Sequence, residues 1–391
     1  MVFPERFSDL PAATWPRLRA LLDVPTQASE TINMTIGEPR HAFPAFVGDI
    51  LADNLAGFAK YPDNYGTPSL LDAIGGFLGR RYGLDVPNDQ ILALNGTREG
   101  LYNAAMALCR EEKNGQPVIL TPNPFYQVYA VAARSVGAKP VYVPATVESG
   151  HLPDFHALSA DMLDRTAIAY VCSPANPQGA VADVDYWRNL IALAEKHDFI
   201  IFADECYSEI YRDTPPPGAL QTAREMGADP ERVLIFHSLS KRSNLPGLRS
   251  GFCAGGPQSI ARLRMLRAFA GAPLPEPLQA VAAAAWNDEA HVVANRALYH
   301  RKYEIADRIF ADLEGYHAPQ AGFFLWLPVD DGETAAVKLW QETGVRVLPG
   351  AYLSQDANGE NPGKTYIRVA MVAPEEELQR GLTLIRRCLF G

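Results

Sequence analysis

Four short apolar runs restrict this chain to a narrow set of folds. They are Pro117-Val118-Ile119-Leu120, Ala167-Ile168-Ala169-Tyr170-Val171-Cys172, Phe199-Ile200-Ile201-Phe202-Ala203 and Val233-Leu234-Ile235-Phe236-His237. A strand that alternates apolar and polar residues leaves one face wet, whereas a continuous apolar strand has to be covered on both faces. Between the runs lie amphipathic stretches such as Tyr186 to His197, where Trp187, Leu190, Ile191 and Ala194 recur at helical spacing. Buried strands alternating with helices predict a doubly wound, mostly parallel α/β sheet. In open sheets of this kind ligands gather beyond the carboxyl ends of the strands, and the runs here lead into Asn123, Asn176, Asp204 and Ser238.

The pattern changes late in the chain. After a helical stretch over 287–313 come Gly322-Phe323-Phe324-Leu325-Trp326-Leu327, Val345-Arg346-Val347-Leu348-Pro349-Gly350 and Tyr366-Ile367-Arg368-Val369-Ala370, which predict a smaller α+β domain. With 391 residues the chain exceeds one typical core. The expected division is an N-terminal segment, 1–40, joining the small domain, a large domain over 41–290, and a C-terminal small domain over 291–391.

Composition excludes several classes. Hydrophobic residues make up 48% and charged ones 20%, the balance of a folded globular protein and not of a disordered one. A net charge of −10 with no run of Lys and Arg argues against nucleic acid as a partner. Cys109, Cys172, Cys206, Cys253 and Cys388 are dispersed, odd in number and without a C-x-x-C pair, so neither a zinc site nor a disulfide framework is expected. The scattered histidines give no metal site either. Residues 1–6 lack a basic region leading into an apolar one, and no apolar span has bilayer length. A cytoplasmic protein with no membrane association is the expectation.

The chemistry-bearing residues fall at the ends of the predicted strands. Ser238-Leu239-Ser240-Lys241, with Arg249 following, places a lysine among hydroxyls and a guanidinium. A lysine amine condenses with an aldehyde only as the free base, and hydroxyls and a guanidinium are good phosphate ligands, so the segment suits pyridoxal 5'-phosphate. Asp204 ends a strand in Ala203-Asp204-Glu205-Cys206-Tyr207; it reads as a helix cap or as the partner of a protonated pyridine nitrogen, with the Tyr207 phenol nearby. The turn Ser173-Pro174-Ala175-Asn176-Pro177-Gln178-Gly179 holds Asn176 outward. Asn95-Gly96-Thr97-Arg98 opens a helix whose free N–H groups form a phosphate cradle. Tyr126 offers a flat ring at another strand end. Arg368, inside an apolar strand, needs an anion, either a substrate carboxylate or a structural acid.

Together Lys241, Asp204, Tyr207, Asn176 and Arg249, in this order and spacing, resemble the fold-type I pyridoxal-phosphate-dependent aminotransferases of class I/II. The resemblance runs from Thr35-Ile36-Gly37-Glu38-Pro39 through Tyr61 and Gly66 to Arg368, nearly the whole chain. It implies that Lys241 binds the cofactor aldehyde and later moves the substrate α-proton. It further implies Asp204 at the ring nitrogen, Tyr207 and Asn176 at the phenolate oxygen, Tyr126 stacked on the ring, and Gly96, Thr97, Arg98, Ser238, Ser240 and Arg249 around the phosphate. Tyr61 is implied to reach the phosphate of a neighbouring subunit, making a homodimer the active unit. Arg368, Asn176 and the backbone at Gly37 are implied to take the substrate.

Within that family, Ile36-Gly37-Glu38-Pro39-Arg40-His41, Asn123-Pro124-Phe125-Tyr126-Gln127, the stretch 238–251 and Ala285-Trp286-Asn287-Asp288-Glu289-Ala290-His291-Val292 look like the N-succinyldiaminopimelate aminotransferases of lysine and diaminopimelate biosynthesis. The implied donor is glutamate and the acceptor an N-succinylated 2-amino-6-oxopimelate. Their extra carboxylates call for a second cation, expected to be Arg40. Arg267-Ala268-Phe269-Ala270-Gly271-Ala272-Pro273 departs from the Tyr-His pair usual there, at the substrate entrance of this fold. Aspartate, aromatic or broad-specificity aminotransferases and carbon–sulfur lyases use the same scaffold. A ligand sensor fused to a DNA-binding module does not fit, since too few residues precede Ile36.

Overall fold

A computed structural model describes residues 7–8, 10–11, 13–357 and 359–391; the stretch 1–6 read above for a leader, and residues 9 and 12 of the N-terminal segment, lie outside them. The strands are β1 (Ile32–Asn33), β2 (Ile91–Leu94), β3 (Val118–Asn123), β4 (Lys139–Pro144), β5 (Thr166–Cys172), β6 (Ile200–Asp204), β7 (Val233–Ser238), β8 (Gly251–Ala254), β9 (Phe324–Pro328), β10 (Val345–Arg346), β11 (Leu348–Pro349) and β12 (Tyr366–Ala370).

The large sheet has the order β2-β8-β7-β6-β5-β3-β4. Only β8 runs against its neighbours, so the other six strands point one way and deliver their carboxyl ends to one edge. The four apolar runs of the sequence are β3, β5, β6 and β7, each parallel to its neighbours among them. Their continuity has a direct cause. Ala169, Val171, Ile201, Ala203, Val233 and Ile235 enter one apolar cluster, with helices Pro68–Tyr82, Val184–His197 and Glu276–Asn287. The intervening Ile168, Tyr170, Phe202, Leu234 and Phe236 enter another, with helices Thr97–Leu108, Gln127–Ser135 and Pro257–Arg267. Because side chains alternate across a strand, both sets had to be apolar.

The C-terminal residues build a three-stranded antiparallel sheet, β11-β12-β9, covered by helices Ala290–Phe310, Gly332–Thr343 and Glu375–Leu389. Ile32 and Met34 enter this core from the N-terminal segment, where β1 pairs with β10 in parallel. Cys172 and Tyr207, at the ends of β5 and just past β6, belong to the same cluster. The two cores therefore meet at the carboxyl edge of the large sheet.

Docking of the N-terminal segment is tight at one glycine. Gly344 closes helix Gly332–Thr343 at φ +69, and a Cβ there would lie 2.3 Å from the Glu30 carbonyl oxygen. Gly83 closes another helix at φ +66 with open space around it. Gly344→Ala is expected to cost about 1–2 kcal/mol for the left-handed backbone plus a further loss for the displaced Glu30 backbone, whereas Gly83→Ala carries only the first. Thermal melting of the two variants should show the larger drop for Gly344→Ala; equal drops would reject the docking.

Candidate active site

The site is a cavity of about 330 Å³ along the carboxyl edge of the large sheet, roofed by the N-terminal segment. Each strand contributes at its end. Asn176 and Gln178 follow β5, Asp204 ends β6, Ser238 ends β7, and Tyr126 follows β3. Thr97, Arg98, Tyr126, Asn176, Asp204, Tyr207, Ser238, Ser240, Lys241 and Arg249 all line this one space.

At the β7 end, Ser238 caps the short helix Leu239–Arg242, its hydroxyl accepting from the Ser240 amide at 3.1 Å and donating to the Ser240 hydroxyl at 3.0 Å. Arg249 donates to the Pro246 and Asn95 carbonyl oxygens at 2.9 and 3.3 Å. Gly96, at φ +81, leaves room for that guanidinium, since a Cβ would lie 2.3 Å from it. The start of helix Thr97–Leu108, two serine hydroxyls and one arginine thus converge without a carboxylate among them. This is a phosphate-sized donor set.

Lys241 stands next to this group and donates to the Gly37 carbonyl oxygen at 2.5 Å. Burial pushes its amine down to about 8, with Arg368 and Arg249 adding to the effect and Cys206 and Glu38 opposing it. Asp204 is buried and accepts from the Tyr129 hydroxyl at 2.8 Å and the Cys206 amide at 3.3 Å. Burial raises its carboxyl above the usual carboxylate range despite those bonds. A protonated pyridine nitrogen beside it offsets that burial, so the residues present fit pyridoxal phosphate. Tyr207 packs edge-on against Phe323 and Phe324, and burial raises its phenol well above the usual value, keeping it a donor.

Arg368 is 5% exposed, yet no acid among the described residues pairs with it. It donates to Asn176 Oδ1 at 3.1 Å and to the Thr35 carbonyl oxygen at 2.8 Å, lies 4.3 Å from the Phe324 ring centre, and its Nε has no partner. Burial pulls it down to about 10, which still leaves it charged at neutral pH.

Gly37, Gly96 and Arg368 stand directly behind the lining, against Lys241, Arg249 and Asn176, and two expected residues lie elsewhere. Arg40, expected as the second substrate cation, forms a two-pronged ion pair with Glu377 at 2.8 and 3.1 Å and does not line the cavity. The first turn of helix Glu375–Leu389, with Glu375, Glu376 and Glu377, is the nearer anion and takes it. Tyr61 is fully exposed and away from its own chain's cavity. The Arg98 side chain donates from Nε to the Tyr126 hydroxyl at 2.5 Å. Arg267 pairs with Glu99, while Asn95 donates to the Ala272 carbonyl, so the departing loop 267–273 packs against the start of helix Thr97–Leu108. Tyr129, Cys206, His151 and Gln178 were not singled out in the sequence. Tyr129 was findable from its place one helical turn after Tyr126; Cys206 touches the Thr97 hydroxyl at 3.1 Å, a contact no spacing announces.

The amine at Lys241 sets a measurable pH dependence. Only its neutral form captures an aldehyde, so capture of added pyridoxal phosphate by the apoprotein should rise with pH and level off just above about 8. An ordinary lysine would keep rising toward about 10.4. Stopped-flow absorbance across that range distinguishes the two.

Comparison with known proteins agrees with this geometry. Residues 29–385 match the family described as aminotransferase class I and II. An aminotransferase structure from Neisseria meningitidis superposes with a TM-score of 0.93 at 36% identity, covering 98% of each chain. Aminotransferase AspB from Helicobacter pylori superposes with a TM-score of 0.89 at 34% identity, covering 99% of each. The LL-diaminopimelate aminotransferase of Dehalococcoides mccartyi is 31% identical over 98% of this chain and 97% of its own length. The chain belongs to the class I and II aminotransferases, enzymes of fold type I that transfer amino groups with pyridoxal 5'-phosphate.

Proposed function

We propose that the chain transfers an amino group between glutamate/2-oxoglutarate and an amino acid of the diaminopimelate class in lysine and diaminopimelate biosynthesis. The observation that carries the reading is Arg368, buried with no acidic partner and with a free Nε beside Asn176. Holding a guanidinium out of water without a counter-ion costs on the order of several kcal/mol, and an α-carboxylate laid across Arg368 and Asn176 offsets it. The likeness to a curated LL-diaminopimelate aminotransferase supports the substrate class.

Bound pyridoxal phosphate supplies an aldehyde for the amine and a ring that accepts electrons from the substrate α-carbon. The chain does the rest. Asp204 would keep a proton at the ring nitrogen, with Tyr129 holding Asp204 in place. Tyr207 and Asn176 would donate to the ring oxygen, and Thr97, Ser238, Ser240 and Arg249 would hold the phosphate. Arg368 would fix the α-carboxylate and so aim the α-hydrogen at Lys241. The Lys241 amine, which burial pulls down to about 8, would take that proton at Nζ and hold it for return.

Sequence resemblance favours the N-succinylated substrate. The Arg40–Glu377 pair favours a second reading, free diaminopimelate or a broader amino-acid range, because it removes the cation assigned to the extra succinyl carboxylate. Visible spectra decide between them. The cofactor band should bleach with glutamate, and then return with the N-succinylated oxo acid on the first reading or only with another acceptor on the second; no bleaching with any amino acid rejects both. Arg368→Ala is expected to lower kcat/KM by about a hundredfold or more while retaining the band. Arg40→Ala should change it by less than about twofold, as for an exposed pair.

The exposed Tyr61 supports a homodimer in which each chain completes the other's phosphate site. Light scattering should give twice the chain mass, and Tyr61→Phe should weaken cofactor retention. A monomer with full cofactor affinity overturns this assembly.

A further inference from the structure

His151 is the one imidazole in the cavity wall, and no step above uses it. It sits on the loop after β4, at the opposite edge of the sheet from the phosphate-binding groups of β2, β7 and β8. Gln178, two residues beyond Asn176 on the same turn, donates to the Ala145 carbonyl at 3.5 Å and ties this loop to the turn that carries the Arg368 contact. His151 therefore borders the space that a substrate side chain enters once its α-carboxylate lies on Arg368.

Two features of the residue are costly without a ligand. Its exposure is 9%, and its Nδ1 is covered with no hydrogen-bond partner among the described residues. A histidine buried for structure alone normally spends its N–H on a carbonyl or carboxylate. Its backbone is left-handed, φ +61, directly after Gly150 at φ +65, a conformation that histidine tolerates better than most side chains and that fixes where the ring stands. The loop enforces it, with the His151 amide donating to the Thr146 carbonyl at 2.7 Å and the ring set edge-on to His317 at 5.2 Å.

The other cations near the cavity are engaged. Arg98 donates to the Tyr126 hydroxyl, Arg249 to the Pro246 and Asn95 carbonyls, and Arg40 to Glu377. Arg368 is held for the α-carboxylate, and the exposed Glu38 at the rim repels a second acid. We propose that His151 is the hydrogen-bond donor that recognises the side-chain carboxylate of dicarboxylic substrates in this cavity. The proposal rests on the reading of the cavity as an amino-acid site, and it deepens that reading by giving the distal carboxylate an imidazole partner in place of an arginine.

The test uses the pyridoxal-phosphate-loaded protein with two ligands that cannot transaminate, glutarate and butyrate, which differ by the distal carboxylate. Calorimetric titration of the wild type should give glutarate at least about tenfold tighter, the worth of one charge-assisted hydrogen bond. In His151→Gly, which accepts the left-handed backbone, the two ligands should bind within about twofold of each other, with butyrate affinity, cofactor band and melting temperature as in the wild type. His151→Ala gives the same comparison should the paired glycines loosen the loop. A glutarate preference retained in both variants, or absent from the wild type, overturns the proposal. Failure of the parent reading is seen separately: wild type that prefers glutarate through His151 but whose band ignores glutamate is not the proposed transaminase.

Discussion

Burial of the large sheet on both faces is the constraint from which the site follows. With Ala169, Val171 and Ile235 packed on one side and Tyr170, Phe202 and Phe236 on the other, the strands are almost wholly apolar, and their buried polar side chains such as Thr121, Thr166 and His237 are few. Polar groups gather instead at the carboxyl ends, where backbone dipoles and loop amides meet them and where strands of one direction present them together. The second core then closes over that edge through Cys172 and Tyr207, which stand at the ends of β5 and β6 yet belong to it. A cavity so placed is low in dielectric by construction.

That environment sets the charges. Burial lowers the Lys241 amine, raises the Asp204 carboxyl and lowers the Arg368 guanidinium, three shifts with one cause. On the proposed function each would be relieved by a different part of the cofactor and substrate: the aldehyde would use the free amine, a protonated ring nitrogen would meet the carboxylate, and a carboxylate would meet the guanidinium.

Much of this was legible in the sequence. The apolar runs gave strand identity and parallel direction, because a strand covered on both faces leaves an unbroken apolar signature. The gathering of Asn176, Asp204, Ser238 and Lys241 followed from the same rule, since each stands just past such a run. The N-terminal segment was less legible: β1 is two residues long, and only its pairing with Val345 and Arg346 makes it a strand. Arg40 read as a free cation because its partner Glu377 is 337 residues away, beyond anything local patterning announces.

By itself, the sequence determined the sheet, its direction, and the set of groups available at its edge, since these depend on local patterning and on the chemistry of each residue. The tertiary structure decided which groups remain unsatisfied. Arg40 and Arg368 are both arginines with an acid-demanding side chain, but one met the first turn of the last helix and the other met only Asn176, Thr35 and an aromatic face. Tyr129 found Asp204, and His151 found no acceptor. Pairing across hundreds of residues depends on how two cores dock, and the physical reason it is absent from the sequence is that an ion pair or an empty hydrogen-bond site leaves no periodic trace along the chain.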